Sequence, residues 1–169
     1  MKKQNFEIDV TEVKTKRPKY NQKDWFSGKK WMHTVKFQTI INANTDEILN
    51  TFPDIDKNHD FKTFKNSKLK FSPETIILAD KGYQSLQKIH AKTFLPFTAS
   101  KNNSKTNKTK IFNKIINKTR NKIEHVFAFL KCFKIIGYKF RKGRKQIFLR
   151  FNLIAGVYSL LLTLKNVMK

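Results

Sequence analysis

The chain has 169 residues, with 36 Lys and Arg against 12 Asp and Glu, and 13% aromatics within a 39% hydrophobic share. That apolar content excludes a wholly disordered polar tail, and the length suits one domain with a proper core. A net charge of +24 strongly self-repels without a counter-charge and points to a polyanion partner, DNA or RNA, a ribosomal-type RNA binder included.

The start, Met1-Lys2-Lys3-Gln4-Asn5, contains no apolar signal core, so an intracellular location is expected. Residues Phe6 to Val13 alternate apolar and polar with period two, the pattern of a half-buried strand. A basic loop follows over Thr15 to Lys30, where Trp25 and Trp31 flank Gly28 and read either as core anchors or as platforms for an unpaired base. His33 to Asn42 and Glu47 to Phe52 form a hairpin of strands through the turn Asn44-Thr45-Asp46. Lys57 to Asn66 is a short helix with Asn58 as its expected cap, and His59 and Asp60 read as capping residues or as neighbours of an active face.

Thr75 to Ala79 is a continuous apolar run of buried-strand type, stopping at Asp80. Gln84 to Ala91 reads as a helix, Thr93 to Pro96 as a strand, and Ser100 to Lys110 as a polar linker. A long helix is expected over Ile111 to Phe133, its apolar face made by Ile115, Ile116, Ile123, Phe127 and Leu130. Its lone Cys132 excludes an internal disulfide or a cysteine zinc cluster. Gly137-Tyr138 breaks the helix, Lys139 to Lys145 is a basic loop, and Ile147 to Leu164 is a terminal helix. The apolar stretch 153–164 is interrupted and falls short of the about 18 residues of a membrane span, so no membrane partner is expected.

Three antiparallel strands followed by alternating helices and strands describe an α/β fold, with a mixed sheet that gains parallel additions and carries helices on its faces. This is the element order of a ribonuclease-H-like fold. Residues 1–136 are expected to form the catalytic domain, with the basic loop and C-terminal helix of 137–169 packing on it.

The acidic residues narrow the chemistry. From Lys81 to Lys169 there are 21 Lys or Arg and one carboxylate, Glu124. Its bland reading is an exposed pair with Arg120 four residues earlier, worth about 0.3–0.5 kcal/mol. Asp9 lies inside the first strand and Asp80 ends the most hydrophobic one; carboxylates are disfavoured in strands and costly near a core. A divalent metal is the economical compensating cation, since Mg2+ takes hard oxygen ligands and two-metal sites use such carboxylates for in-line displacement at phosphorus. Arg120, Glu124 and Lys131 are spaced 4 and 7 apart, which places them on one helix stripe. A carboxylate flanked by cations suits a place where metal meets a phosphodiester. The cluster Lys139, Arg141, Lys142, Arg144 and Lys145 reads as phosphate-binding surface, or as a merely solvated charge run.

The chain resembles the DDE-class transposases of bacterial insertion sequences, in particular the group of insertion sequences four and five. The marks are Ile8-Asp9-Val10-Thr11, Ser27-Gly28-Lys29-Lys30 with His33-Thr34-Val35-Lys36, His59-Asp60, Ala79-Asp80-Lys81-Gly82-Tyr83, and Arg120-x3-Glu124-x6-Lys131. Where that signature normally begins with Tyr, this chain has Asn117. The resemblance implies a ribonuclease-H-like domain that cuts transposon ends and joins them to target DNA. It implies Asp9, Asp80 and Glu124 as catalytic ligands of two Mg2+, with Mn2+ as substitute, and Arg120 and Lys131 as DNA contacts. It also implies a homodimer on DNA in the bacterial cytoplasm, nucleoid-associated when bound. Members usually carry an N-terminal segment that recognises transposon ends, expected here from an upstream reading frame or lost in a truncated element. Gly82 is expected to ease the turn after Asp80, with Tyr83 packed on that turn or on DNA. Two other readings account for the charge: a non-catalytic nucleic-acid coat or inactive remnant, and a ribonuclease-H-fold nuclease.

Overall fold

The computed structural model describes residues 4–98 and 106–168, with Arg144 and Lys145 described as backbone only. Alternation in β1 (Asn5–Lys14) gives the central strand two different faces. Ile8 turns to one side, while Glu7, Asp9, Thr11 and Val13 turn to the other. A 3-10 turn (Gln22–Trp25) and the two-residue β2 (Phe26–Ser27) lead into β3 (Met32–Asn42), which pairs antiparallel with β1 and sets Asp9 opposite Thr39. β4 (Ile48–Ile55) pairs antiparallel with β3 at an edge, where Pro53 removes no needed ladder donor.

After α1 (Asp60–Ser67), β5 (Ile76–Ala79) joins the other side of β1 in parallel, with Ile8 opposite Ala79. That register brings the next residues of the two strands, Asp9 and Asp80, side by side. A 3-10 run (Lys81–Lys88) leads to β6 (Thr93–Phe94), parallel to β5. The main path of the sheet is β2-β3-β1-β5-β6, with β4 on β3. A curled mixed sheet of this kind, flanked by helices, is a ribonuclease-H-like arrangement.

The helical layer is α2 (Asn107–Cys132), α3 (Lys134–Gly137) and α4 (Arg144–Val167). The α2 stripe Ile116, Ile123, Phe127 and Leu130 is buried, with Arg120 inside it. Ile123, Phe127 and Leu130 pack with Val13, Val35 and Phe37 of the sheet and with Ile147, Phe151 and Ile154 of α4. On the opposite sheet face, Ile8, Ile40, Ile77, Tyr83 and Leu86 form a second cluster with Phe64.

Several expectations shift at element ends. Thr106 caps α2 by accepting from Thr109 N–H at 3.3 Å, so the helix begins at Asn107, before the expected Ile111. The rest of the expected linker, through residue 105, lies outside the described residues. His59, not Asn58, precedes the first residue of α1; the Asn58 amide instead donates to both Asp54 oxygens at 2.9 and 3.0 Å. The expected helix at Gln84 is a 3-10 run that already begins at Lys81, and α4 begins at Arg144 rather than Ile147. Ile115 is exposed, and Arg120 takes a place in the buried stripe instead.

By length and composition, Gln146–Val167 within α4 could cross a membrane, with mean hydropathy 1.8, a reach that the broken run 153–164 understates. Its Ile147, Phe151 and Ile154 lie in the core, while Leu149, Leu153, Leu160 and Leu164 are exposed. The face-to-face stack of Phe37 on Phe151, centroids 3.9 Å apart, joins sheet to helix with both rings fully buried. Phe151→Ala should cost about 3–5 kcal/mol in urea unfolding; a loss under 1 kcal/mol would contradict this packing.

Candidate active site

The middle of one strand, the end of its parallel neighbour and one helix meet at a cleft of about 910 Å3. Asp9 comes from β1, Asp80 follows β5, and Arg120 projects from α2. The Arg120 guanidinium donates to Asp80 Oδ1 through Nη1 and to Asp9 Oδ2 through Nη2, each at 3.2 Å. Arg120 is 8% exposed, so this is a largely desolvated cation holding two carboxylates together. Burial pushes the Asp9 carboxyl up to about 6; Arg120 pulls it down, while Asp80 and Asp60 push it further up.

Glu124 lines the same cleft, as does Asn117, which stands at the usual Tyr position. Glu124 forms no ion pair among the described residues, because both terminal nitrogens of Arg120 are engaged elsewhere. The exposed Arg120–Glu124 pair is therefore not formed. Nor is Arg120 turned outward: it sits beneath the cleft, on the carboxylates. Lys131 is not among the cleft-lining residues. Its amine is held below the ordinary range, first by desolvation and then by Lys30, against the opposing pull of Glu12 and Asp9.

In the basic cluster, Arg141 and Lys142 are exposed, and Lys139 lines a separate groove. Arg144 and Lys145 open α4, their side chains being outside the described ones. Trp25 packs against the core, whereas Trp31 is 82% exposed. Tyr83 is fully buried, its hydroxyl 3.4 Å from Gln38 Oε1, which settles it as a core residue.

Three contributors escaped the sequence reading or were only half seen. Lys36 donates to Asn58 O at 2.8 Å and lies 3.4 Å from Asp60 Oδ1, and Asp60 joins Glu12 and Asp56 as further carboxylates on the cleft wall. Gly82 is needed for a different reason than the expected turn. Its φ is not positive, but a side-chain carbon there would collide with the Asp60 carboxylate. Glu7, two residues before Asp9, is fully buried; its Oε2 accepts from Ile123 N–H at 3.2 Å, next to Glu124. Burial pushes the Glu7 carboxyl up to about 7, against the lowering effects of the Ile123 N–H and Lys122. The strand alternation carried the signal for Glu7, since it shares a face with Asp9.

Among the described residues, no three His, Cys, Asp or Glu side chains are gathered closely enough to hold a metal ion by themselves. What the cleft offers a hard divalent cation is the pair Asp9 and Asp80, already converging on one positive group. Two carboxylates suit Mg2+, which completes its shell with water and substrate phosphate.

A family model described as DDE superfamily endonuclease matches residues 8–158. The chain belongs to the DDE superfamily of endonucleases. This endonuclease domain is also 40% identical over 158 residues to "Probable transposase for insertion sequence element IS702" of Microchaete diplosiphon. The match covers 94% of this chain and 57% of that protein, so the domain spans little more than half its relative. No solved structure matches the chain at a significant level.

The buried Glu7 gives the domain a pH dependence. Between about 4.5 and about 7 the folded carboxyl keeps a proton that the unfolded one has released, so stability falls as pH rises through this window. The loss is on the order of 3 kcal/mol at about 1.4 kcal/mol per pH unit. Thermal unfolding followed from pH 5 to 8 should show this slope, and Glu7→Gln should flatten it while keeping the Ile123 bond. An unchanged slope in the variant would contradict the assignment.

Proposed function

We propose that this domain is the catalytic part of an insertion-sequence transposase, cutting DNA at transposon ends and transferring the 3′ hydroxyls to target DNA. The observation that carries the reading is the convergence of Asp9 and Asp80 on Arg120 at the floor of a cleft that Glu124 also lines. The family and the transposase relative supply the reaction class.

Asp9, Asp80 and Glu124 are the residues that would hold Mg2+, or Mn2+ in its place, as two ions. When bound, such ions activate the attacking oxygen and stabilise the leaving one. Asp9 presents its carboxylate from the central strand and Asp80 from just past the end of the strand parallel to it, and Glu124 presents its own from the helix that crosses them. Arg120 orients the first two before DNA arrives, and Lys29, Lys57 and Lys81 on the cleft wall are the cations open to a phosphate that enters. Lys131, Lys139, Arg141, Lys142, Arg144 and Lys145 form the outer phosphate contacts, whose strength falls with salt.

The reading extends to a homodimer holding two DNA ends, and to an upstream N-terminal segment that recognises them. The exposed leucines of α4 offer the second copy an apolar stripe. We place the reaction in the bacterial cytoplasm and treat residues 137–169 as part of the same domain as 1–136.

Nicking of supercoiled plasmid with Mg2+ or Mn2+ tests the chemistry. Asp80→Asn should lower the rate by at least about 100-fold, the scale on which lost transition-state charge stabilisation is felt, while DNA affinity stays equal or rises. Metal-independent nicking, or a variant as active as the wild type, would overturn the catalytic role. Absence of nicking under either metal, with unchanged binding, would favour a coating protein.

A further inference from the structure

On the other side of the turn that walls the carboxylate cleft lies a second concavity of about 640 Å3, within the range of about 300–1,000 Å3 usual for small-ligand sites. Three aromatic rings line it, Phe26, Trp31 and Tyr138, together with three cations, Lys14, Arg17 and Lys139. No carboxylate lines it among the described residues.

These rings are unusually open to solvent. Trp31 is 82% exposed, Tyr138 67% and Phe26 40%. Trp31 also holds a left-handed backbone, φ 51°, a conformation that costs a bulky residue free energy. The strained turn does not bury the indole; it presents it, edge-to-face with Phe26 at 6.5 Å between centroids. Phe26 in turn meets His33 at 5.6 Å.

The floor beneath is built from backbone. Thr15 N–H donates to His33 O at 2.9 Å and Lys16 N–H to Phe140 O at 2.8 Å; Phe140 N–H donates to Lys14 O at 2.8 Å. Tyr138 is thereby carried on a strap tied to the end of β1, with Phe140 anchored in the core. Arg17 is oriented by a 2.8 Å bond from its Nε to Gln22 Oε1.

We infer that this groove binds an unpaired nucleotide, its base against Trp31 and Tyr138 and its phosphate among Lys14, Arg17 and Lys139. Exposed rings beside cations are the surface that single-stranded nucleic acid recognises. A duplex keeps its base faces stacked and cannot offer them to a ring. The cations, with no acid among the lining, complement a phosphodiester.

Ser27, Gly28 and Lys29 line the carboxylate cleft, while Phe26, Trp31 and Met32 line this groove. One turn therefore parts the two. A strand held at the cleft can pass over Gly28 and lay a neighbouring, unpaired nucleotide in the groove. That adjacency rests on the proposed reaction; the binding itself does not.

The test is metal-free, so its failure leaves the chemistry untouched. Fluorescein-labelled oligothymidylate and a labelled duplex of equal length are titrated at one ionic strength, with tryptophan emission followed as a second readout. Trp31→Ala and Tyr138→Ala should each weaken oligothymidylate binding roughly 5- to 150-fold, and leave duplex affinity nearly unchanged. Trp31→Phe should retain most of the binding. The wild type should lose tryptophan emission on binding the single strand, and Trp31→Ala should show little of this loss. Both side chains are largely exposed, so circular dichroism should report an unaltered fold. Equal losses on single strand and duplex, no loss on either, or no binding of oligothymidylate by the wild type would overturn the proposal.

Discussion

The guanidinium of Arg120, shared between Asp9 and Asp80, is the contact on which the arrangement of this domain depends. It joins the central strand, the strand parallel to it and the long helix through one charge network, buried at Arg120 and open to the cleft at Asp80. Removing Asp9 leaves the buried guanidinium short of a partner, a loss bounded above by the roughly 3–5 kcal/mol of a fully buried pair, whereas the Asp80 side is half open to water and contributes less. Replacing the whole network by apolar groups would cost far less, so stability alone does not account for it. Two carboxylates facing a single cation at the floor of an open cleft are better explained as a place where cations exchange.

Around that anionic floor the surface is positive. The second half of the chain carries nearly all its charge as Lys and Arg, so a polyanion is drawn to the surface as a whole, while six of the acids gather on the wall of one cleft. Long-range attraction and local chemistry are thus assigned to different residues. The turn between β2 and β3 divides the concave surface in two. Carboxylates line one side and aromatic rings the other, with cations on both, as expected if phosphodiester chemistry and base contact are handled separately.

Much of this was legible in the sequence because it follows from periodicity. The alternation through Phe6 to Val13 placed Asp9 opposite Ile8, and the abrupt end of Thr75 to Ala79 marked Asp80. The exposed state of Glu124 and the buried state of Arg120 were not legible. Both lie on the same helix stripe, and only the tertiary contact with Asp9 and Asp80 turns one inward. Asp60 was marked as a neighbour of the active face and Lys36 as part of a family motif, but their pairing was not legible, since it depends on how α1 docks beside β3. Gly82 was noticed but misread: the constraint is the Asp60 carboxylate packed against it, a long-range fact invisible in a local turn pattern. Glu7 lay in plain alternation with Asp9, yet its burial depended on where α2 crosses the sheet. Trp25 and Trp31 looked equivalent about Gly28; only the left-handed turn at Trp31 sends one ring outward.

The central proposal is that Asp9 and Asp80, which Arg120 bridges, act together with Glu124 on the same cleft to hold divalent cations. Calorimetric titration of Mn2+ at low salt, comparing the wild type with Asp9→Ala, Asp80→Ala and Glu124→Ala, addresses it directly. The account predicts weaker binding in all three variants and undiminished or tighter binding in Arg120→Gln, where the competing guanidinium is gone. Manganese binding that ignores all three carboxylates would contradict it.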